Sequence, residues 1–324
     1  MIEQSSRNTQ IDVLRGIGCI YVILGHLHPG ILETHIYSFH MFLFFFLSGY
    51  LYRKSSLKNV VSKNLKKLIV PFLLGGGIAE LISFILTEPI EGGAVSALFY
   101  YNGVLTWNRP IWFLLVLFEA TVLTHLLERF TVCYYLSVVV SIVIGCLLQG
   151  TNYSFGLSIL PVAYSWIGIG YLSNKALKKV FNAYGKSQYI IFAASAVLNV
   201  CFSYVLNTRI SMVGSYYGNY IYAFIAGFFG IVMYWYISKW IHSNIAIERF
   251  GKHGVLLITT QYIIYRFLSE LTVYLFDYDI WNEKSLLKAL IITVIVAIMY
   301  YLVFIVEEKL IYSYKKCVRS IQRK

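Results

Sequence analysis

Charge is scarce in this chain. Charged side chains make up 13% of its 324 residues, hydrophobic ones 58%, and the mean hydropathy is +0.67. A soluble domain carries about 25% charged residues and cannot hide this much apolar side chain, so a water-soluble fold is excluded. Proline is also rare, at five residues, and no Pro-, Gly- or Ser-rich tract interrupts the chain. Without a linker or repeat, one domain over residues 1–324 is expected, with no extra-membrane domain. Cysteine is sparse: Cys19, Cys133, Cys146 and Cys201 fall in apolar stretches and Cys317 in the tail, with no paired spacing. Neither a disulfide framework nor a metal site is predicted. No small-residue cleavage site follows the first apolar segment, which Arg15 interrupts. That segment is expected to stay as a helix and not leave as a signal peptide.

What is present is a series of apolar stretches near 20 residues, each long enough to cross a hydrocarbon core of about 30 Å. Ten are predicted, at 11–28, 35–53, 68–87, 110–128, 132–149, 155–173, 188–206, 218–238, 254–275 and 286–306, the last free to continue into the tail. The fold class is therefore an all-α polytopic membrane bundle. The chain carries 27 Lys and Arg against 15 Asp and Glu. With the N-terminus inside, the outer side receives only Arg109, Arg209, Lys284 and Lys288, while Arg15 and Arg266 lie within helices. Every other basic residue falls on the inner side, from Arg7 to the tail beyond Lys309. This is the positive-inside pattern, which puts both termini in the cytoplasm. The basic excess reports topology and contact with anionic headgroups, not nucleic acid.

The first stretch, IDVLRGIGCIYVILGHLH, places Arg15 and His26 eleven residues apart. Eleven helical steps are almost three turns, so both side chains share a stripe with Cys19 and Val22, about 16 Å apart along the axis. A cation and an imidazole on one intramembrane stripe mark a candidate site. Two plainer readings stand beside it: a histidine hydrogen-bonded for packing, and an Arg15 that pairs with Asp12 at the headgroups. The second stretch, HIYSFHMFLFFFLSGYLYRK, follows a short outer loop, so the two form an antiparallel hairpin. Folding about residues 31 and 32 brings His26 level with Tyr37, His40 a turn deeper, and Arg15 level with Ser48. His28 and His35 fall in or beside the loop, where a solvated role is expected. A neutral histidine is a good base near pH 7, and a guanidinium is a good partner for phosphate or carboxylate.

IDVLRGIGCIYVILGH followed by FHMFLFFFLSGYLYRK resembles the opening of the acyltransferase-3 family of membrane O-acyltransferases. The shared features are the arginine, ten residues and a histidine, met by Arg15 and His26, and an aromatic run ending in Leu-Ser-Gly-Tyr, with His40 and Met41 before it. KNLKKLIVPF, ending at Phe72, resembles the family's basic approach to its third helix, with lysines where arginine is usual. PIWFLLVLF, from Pro110 to Phe118, resembles its Trp-Phe-Leu helix. One feature departs. Where the family often has a Gly-Lys-Asn-Ser-like turn and then a histidine, this chain has Gly251-Lys252-His253-Gly254 and then Gln261, which cannot take a proton.

The resemblance implies transfer of an acyl group, usually acetyl, from acetyl-CoA to a hydroxyl of a cell-surface or lipid-linked carbohydrate, in the cytoplasmic (inner) membrane of a bacterium. Acyl-CoA is then a co-substrate, with no permanently bound cofactor. His26 is the expected catalytic base. Arg15, with Lys63, Lys66 and Lys67, is expected to meet the anionic acyl-CoA, whose slender arm follows the Arg15–Cys19–Val22–His26 stripe. An acyl-histidine relay is the alternative to direct transfer. His40, Ser48, Trp112 and Glu119 are supporting candidates, Glu119 to orient a histidine or a sugar hydroxyl or else to hold structure. Arg266 and Glu270, four apart, are expected to neutralise one another. Outer aromatics (Tyr100, Tyr101, Trp107, Tyr216, Tyr217, Trp281) mixed with carboxylates at Glu33, Glu88, Glu91, Asp277, Asp279 and Glu283 suit carbohydrate binding, but an interfacial aromatic belt is the expected reading. An exporter of a glycan or lipid-linked sugar, and a structural subunit of a polysaccharide-assembly machine, are the competing readings. Neither requires Arg15 and His26 at this spacing.

Overall fold

The computed structural model describes residues 8–86, 108–277, 279–280 and 284–321. Arg7, Glu88, Glu91, Tyr100, Tyr101, Trp107, Trp281 and Glu283 lie outside them. Each of the ten predicted stretches is a helix. They are α1 (Thr9–Gly25), α2 (Leu32–Tyr50), α4 (Val70–Leu86), α5 (Trp112–Leu127), α6 (Thr131–Leu147), α7 (Leu160–Ala176), α9 (Lys186–Val200), α10 (Tyr220–Ile241), α12 (Gly254–Phe276) and α13 (Leu286–Ile321). The last does continue into the tail. Three shorter helices were not predicted: α3 (Leu57–Asn64), α8 (Lys178–Phe181) and α11 (Ile245–Lys252). Among the described residues no strand occurs beyond one isolated bridge, between Ser211 and Tyr216. Among the described residues five helical stretches are long and apolar enough to cross a membrane: 109–127, 154–176, 186–205, 220–241 and 286–313. The others are shorter or carry more polar side chains; of these, α1 and α2 are largely buried within the bundle.

Local chemistry sets the boundaries. The Asn8 side chain accepts from the amide of Ile11, capping α1, and Asp12 in the first turn complements the helix dipole. Asn219 and Asn244 cap α10 and α11 in the same way. Helix α1 closes at Gly25, with His26 as its C-cap, and left-handed backbone at His28 (φ 51°) and Gly30 (φ 59°) reverses the chain into α2. A π-type turn at Leu65–Ile69 joins α3 to α4.

The outer surface is apolar. On α6, Val132 is 80% exposed, with Leu136, Val139, Val143 and Leu147 beside it; on α13, Leu287, Ile291, Val294, Ile298 and Leu302 are exposed too. Side chains of this kind facing outward on several helices form a lipid-facing belt. Inside, aromatics fill the bundle: Trp166, Phe42 and Phe224 form one cluster in which Trp166 stacks on both phenylalanines, and Phe39 stacks on Tyr234 at 4.4 Å.

The tightest contacts run through glycines. A β-carbon on Gly49 would lie 1.8 Å from the carbonyl oxygen of Ile167, and one on Gly170 would lie 2.0 Å from that of Phe46. Helices α2 and α7 thus touch backbone to backbone, as small residues allow between membrane helices. On the other side of the hairpin, a β-carbon on Gly16 would lie 2.0 Å from the Ile247 carbonyl oxygen, and one on Gly251 would lie 2.1 Å from that of Asp12. The hairpin α1–α2 is therefore clamped between α11 and α7. Gly49→Ala or Gly170→Ala must push these helices apart, at a cost of about 1–3 kcal/mol. Each variant is expected to melt several degrees below wild type in thermal unfolding of the detergent-solubilised protein; an unchanged midpoint would contradict the clamp.

Candidate active site

Within the hairpin, Gly25 packs on Ile36 and Tyr37, and Gly18 on Leu43 and Phe44. This register brings His26 to the level of the 35–37 turn, with His40 about one turn below, as expected from the sequence. Both imidazoles border one cavity of ≈ 290 Å³. Its walls are the end of α1 (Val22, His26), the α2 face from Tyr37 to Phe42, the turn Arg109–Pro110 leading to Trp112 and Phe113, the loop from Arg209 to Val213, and Ile258 and Tyr262 of α12. Asn108, fully buried, fixes that turn by donating to the carbonyls of Thr259 at 2.8 Å and Gly75 at 3.3 Å.

The hydrogen bonds define the state of the two imidazoles. His26 Nδ1 lies 2.6 Å from the Val22 carbonyl oxygen, and His40 Nδ1 lies 2.7 Å from that of Ile36. A carbonyl only accepts, so each Nδ1 carries a proton and donates it; in the neutral imidazole, the form favoured in an apolar interior, Nε2 then keeps its lone pair. Neither Nε2 has a hydrogen-bond partner among the described residues. Two neutral imidazoles thus border one cavity with a basic nitrogen to spare. Tyr262 meets the His26 ring edge-on at 5.8 Å, and Tyr37 meets that of His40 at 4.9 Å.

Of the sequence-derived candidates, His26, His40 and Trp112 share this cavity. Arg15 lies deeper on α1, half-buried beside Gly16 and close enough to act electrostatically on Cys19. The stripe between them is closed: Cys19 is buried and its sulfur packs against Gly254. Ser48 donates to the Phe44 carbonyl of its own helix at 3.0 Å. Glu119 lies two turns in from Trp112, its Oε2 buried without a partner. Lys63, Lys66 and Lys67 are exposed on α3 and the π turn, which pack on α5.

Three expectations are corrected. His35 is not solvated: its Nδ1 donates to Asn199 Oδ1 at 2.8 Å and its Nε2 lies 2.9 Å from the Tyr234 hydroxyl. Asn199 spends both amide protons on Ser38 and the Ala226 carbonyl, which fixes its oxygen as the acceptor. Arg266 and Glu270 form no ion pair among the described residues; Glu270 turns outward and the Arg266 Nε is buried without a hydrogen bond. Tyr217 is no belt residue but fully buried, edge-on to Tyr220. Gln261 is also fully buried, with neither amide atom hydrogen-bonded, and does not line the cavity. His253 lies between Glu307 at 2.8 Å and Glu308 at 3.2 Å, tying the start of α12 to α13.

The sequence reading missed Arg209 and Arg109 as site residues, counting them only as outer charges. Arg209 stacks over Tyr37 at 4.1 Å and pairs with Glu33 at 2.8 Å; the same Glu33 oxygen accepts from His28 at 3.2 Å. Their signal was present, since two of the four outer basic residues flank apolar helices, but only the fold brings them to one cavity.

A polytopic helical membrane bundle with a histidine-lined internal cavity is the class these features define. The profile of the acyltransferase-3 family, described as an acyltransferase domain, matches residues 8–308, and the chain belongs to this family. It is also similar to the nodulation protein NolL of Sinorhizobium fredii (strain NBRC 101917 / NGR234), 25% identical over 226 residues, which are 61% of this chain and 57% of that protein. The chain thus matches less than two thirds of the length of that relative. No solved structure matches.

Asn199→Leu removes the acceptor of His35 and the donor to Ser38, at about 1–3 kcal/mol for stranded buried polar groups. A lowered melting midpoint is expected; wild-type stability would mean that the network contributes nothing.

Proposed function

We propose that this protein is a membrane O-acyltransferase that moves an acyl group, acetyl in the first instance, from cytoplasmic acyl-CoA to a hydroxyl of a cell-surface or lipid-linked carbohydrate, at the inner membrane of a bacterium. The observation that carries this reading is the His26 imidazole, held by Val22 in the tautomer that leaves Nε2 basic, in an internal cavity. Membership of an acyltransferase family favours it over an exporter or a scaffold.

In the direct route the acceptor hydroxyl donates to His26 Nε2, which takes its proton as the oxygen attacks the thioester carbonyl. The tetrahedral intermediate collapses with loss of the CoA thiolate, which receives the proton back from the imidazolium. Tyr37 and Tyr262 border the same cavity and supply the candidate donors to the oxyanion. His40 stands close enough to act on His26 electrostatically and is a second candidate to hold the hydroxyl or the proton. With both termini inside, the cavity lies toward the outer half and Arg15 toward the inner, where the basic loops face the acyl-CoA phosphates. The donor's arm then reaches His26 only if the contact between Cys19 and Gly254 opens, so donor binding and a small shift of α12 are coupled.

Cells or vesicles carrying the protein are expected to incorporate label from radiolabelled acetyl-CoA into glycan, and His26→Ala to abolish it at unchanged protein level. Label retained by that variant would remove His26 from the chemistry. Arg15→Ala is expected to raise the KM for acetyl-CoA, with partial recovery in Arg15→Lys because the planar fork is lost; an unchanged donor KM would place the CoA phosphates elsewhere.

A further inference from the structure

The outer part of the cavity holds more positive charge than a proton transfer needs. Arg109 and Arg209 both line it beside the neutral His26 and His40, and among the described residues no aspartate or glutamate does. Arg109 is exposed at the cavity mouth and has no ion-pair or hydrogen-bond partner among the described residues. Arg209 is held in place: its guanidinium carbon lies over the Tyr37 ring, 4.1 Å from the centroid, and Glu33, 6% exposed, pairs with its Nε at 2.8 Å. The loop that carries it is pinned as well. Ser211 and Tyr216 exchange both backbone hydrogen bonds, at 2.8 and 2.9 Å, and Asn207 accepts from the Asn219 amide at 2.8 Å and donates to the Tyr217 carbonyl at 3.1 Å. Glu33 offsets one charge, and among the described residues no carboxylate pairs with the second guanidinium.

Resting on the acyl-transfer reading, we propose that the acceptor is an acidic sugar, whose carboxylate or phosphate is held between Arg109 and Arg209 while its hydroxyl is presented to His26. Guanidinium groups match these oxyanions in a planar, bidentate geometry. A neutral sugar would offer these two guanidinium groups no oxyanion to pair with. The cavity volume of ≈ 290 Å³ lies at the lower end of small-ligand sites, about 300–1,000 Å³, the scale of one sugar ring with its substituent. The donor's phosphates are not the occupant in this arrangement, because the Arg15 end of α1 and the basic loops lie on the opposite side.

Trp112 lines the cavity and provides a readout independent of catalysis. The full-length protein in nanodiscs is titrated with glucuronate, glucose 1-phosphate and glucose, and the tryptophan signal is referenced to Trp112→Phe. At least one anionic sugar is expected to give a saturable change with a Kd about tenfold or more below that of glucose, as one charge-assisted hydrogen bond provides. Which of the two binds tighter distinguishes carboxylate from phosphate. Arg109→Gln, which breaks no ion pair or hydrogen bond among the described residues, is expected to abolish the preference, and Arg209→Lys to keep part of what Arg209→Gln loses. Equal binding of the three sugars, no saturable binding of either anionic one, or wild-type preference in Arg109→Gln overturns the proposal. Because binding needs no acyl transfer, anionic preference without label incorporation would sink the enzyme reading instead, and label without anionic preference would sink only this one.

Discussion

Four peptide carbonyls lie where β-carbons would otherwise be, and the architecture depends on those contacts. Gly16 and Gly251 bring α1 against α11; Gly49 and Gly170 bring α2 against α7. In a bilayer, apolar burial does not drive helices together, so close backbone approach and dispersion must hold them. Gly16 directly follows Arg15, Gly49 sits in the Leu-Ser-Gly-Tyr run, and Gly251 opens the Gly-Lys-His-Gly turn. The motifs proposed to carry the chemistry are therefore also the motifs that clamp the hairpin. That joint role gives a physical reason for a glycine beside each of them.

Within the clamp, Gly18 and Gly25 seat α1 on α2, and that register sets the site. With Gly25 on Ile36 and Tyr37, the last residue of α1 arrives beside the second and third turns of α2, so His26 and His40 border one cavity. The carbonyl one turn back on each helix then fixes the tautomer. No acidic partner is needed to orient either ring; the helix backbone does it. The bases stay neutral in an apolar setting, where an imidazolium would be costly to form without a substrate to share the proton.

The ten long helices were legible because apolar runs near 20 residues have few alternatives in a membrane. The hairpin pairing was legible because the loop is short. The register came within about one residue, since antiparallel pairing through a short turn leaves little slack. Helices α3, α8 and α11 were not read: at eight, four and eight residues they carry too little pattern to stand out from polar loops. His35 was misplaced because its partner Asn199 is 164 residues away. Pairing Arg266 with Glu270 followed from spacing alone, whereas the rotation of α12 turns Glu270 outward. Arg109 and Arg209 are a hundred residues apart, and only the folded loops bring them to the same cavity.

The central claim is that the thioester meets the acceptor at His26, on the cavity side of Cys19. A cryo-EM structure with a non-hydrolysable thioether analogue of acetyl-CoA tests it most directly. The account predicts the nucleotide end near Arg15, the arm passing Cys19 with α12 displaced at Gly254, and the acyl carbon in the cavity within a few ångströms of His26 Nε2. An analogue with its acyl end outside that cavity, and α12 unmoved, would contradict it.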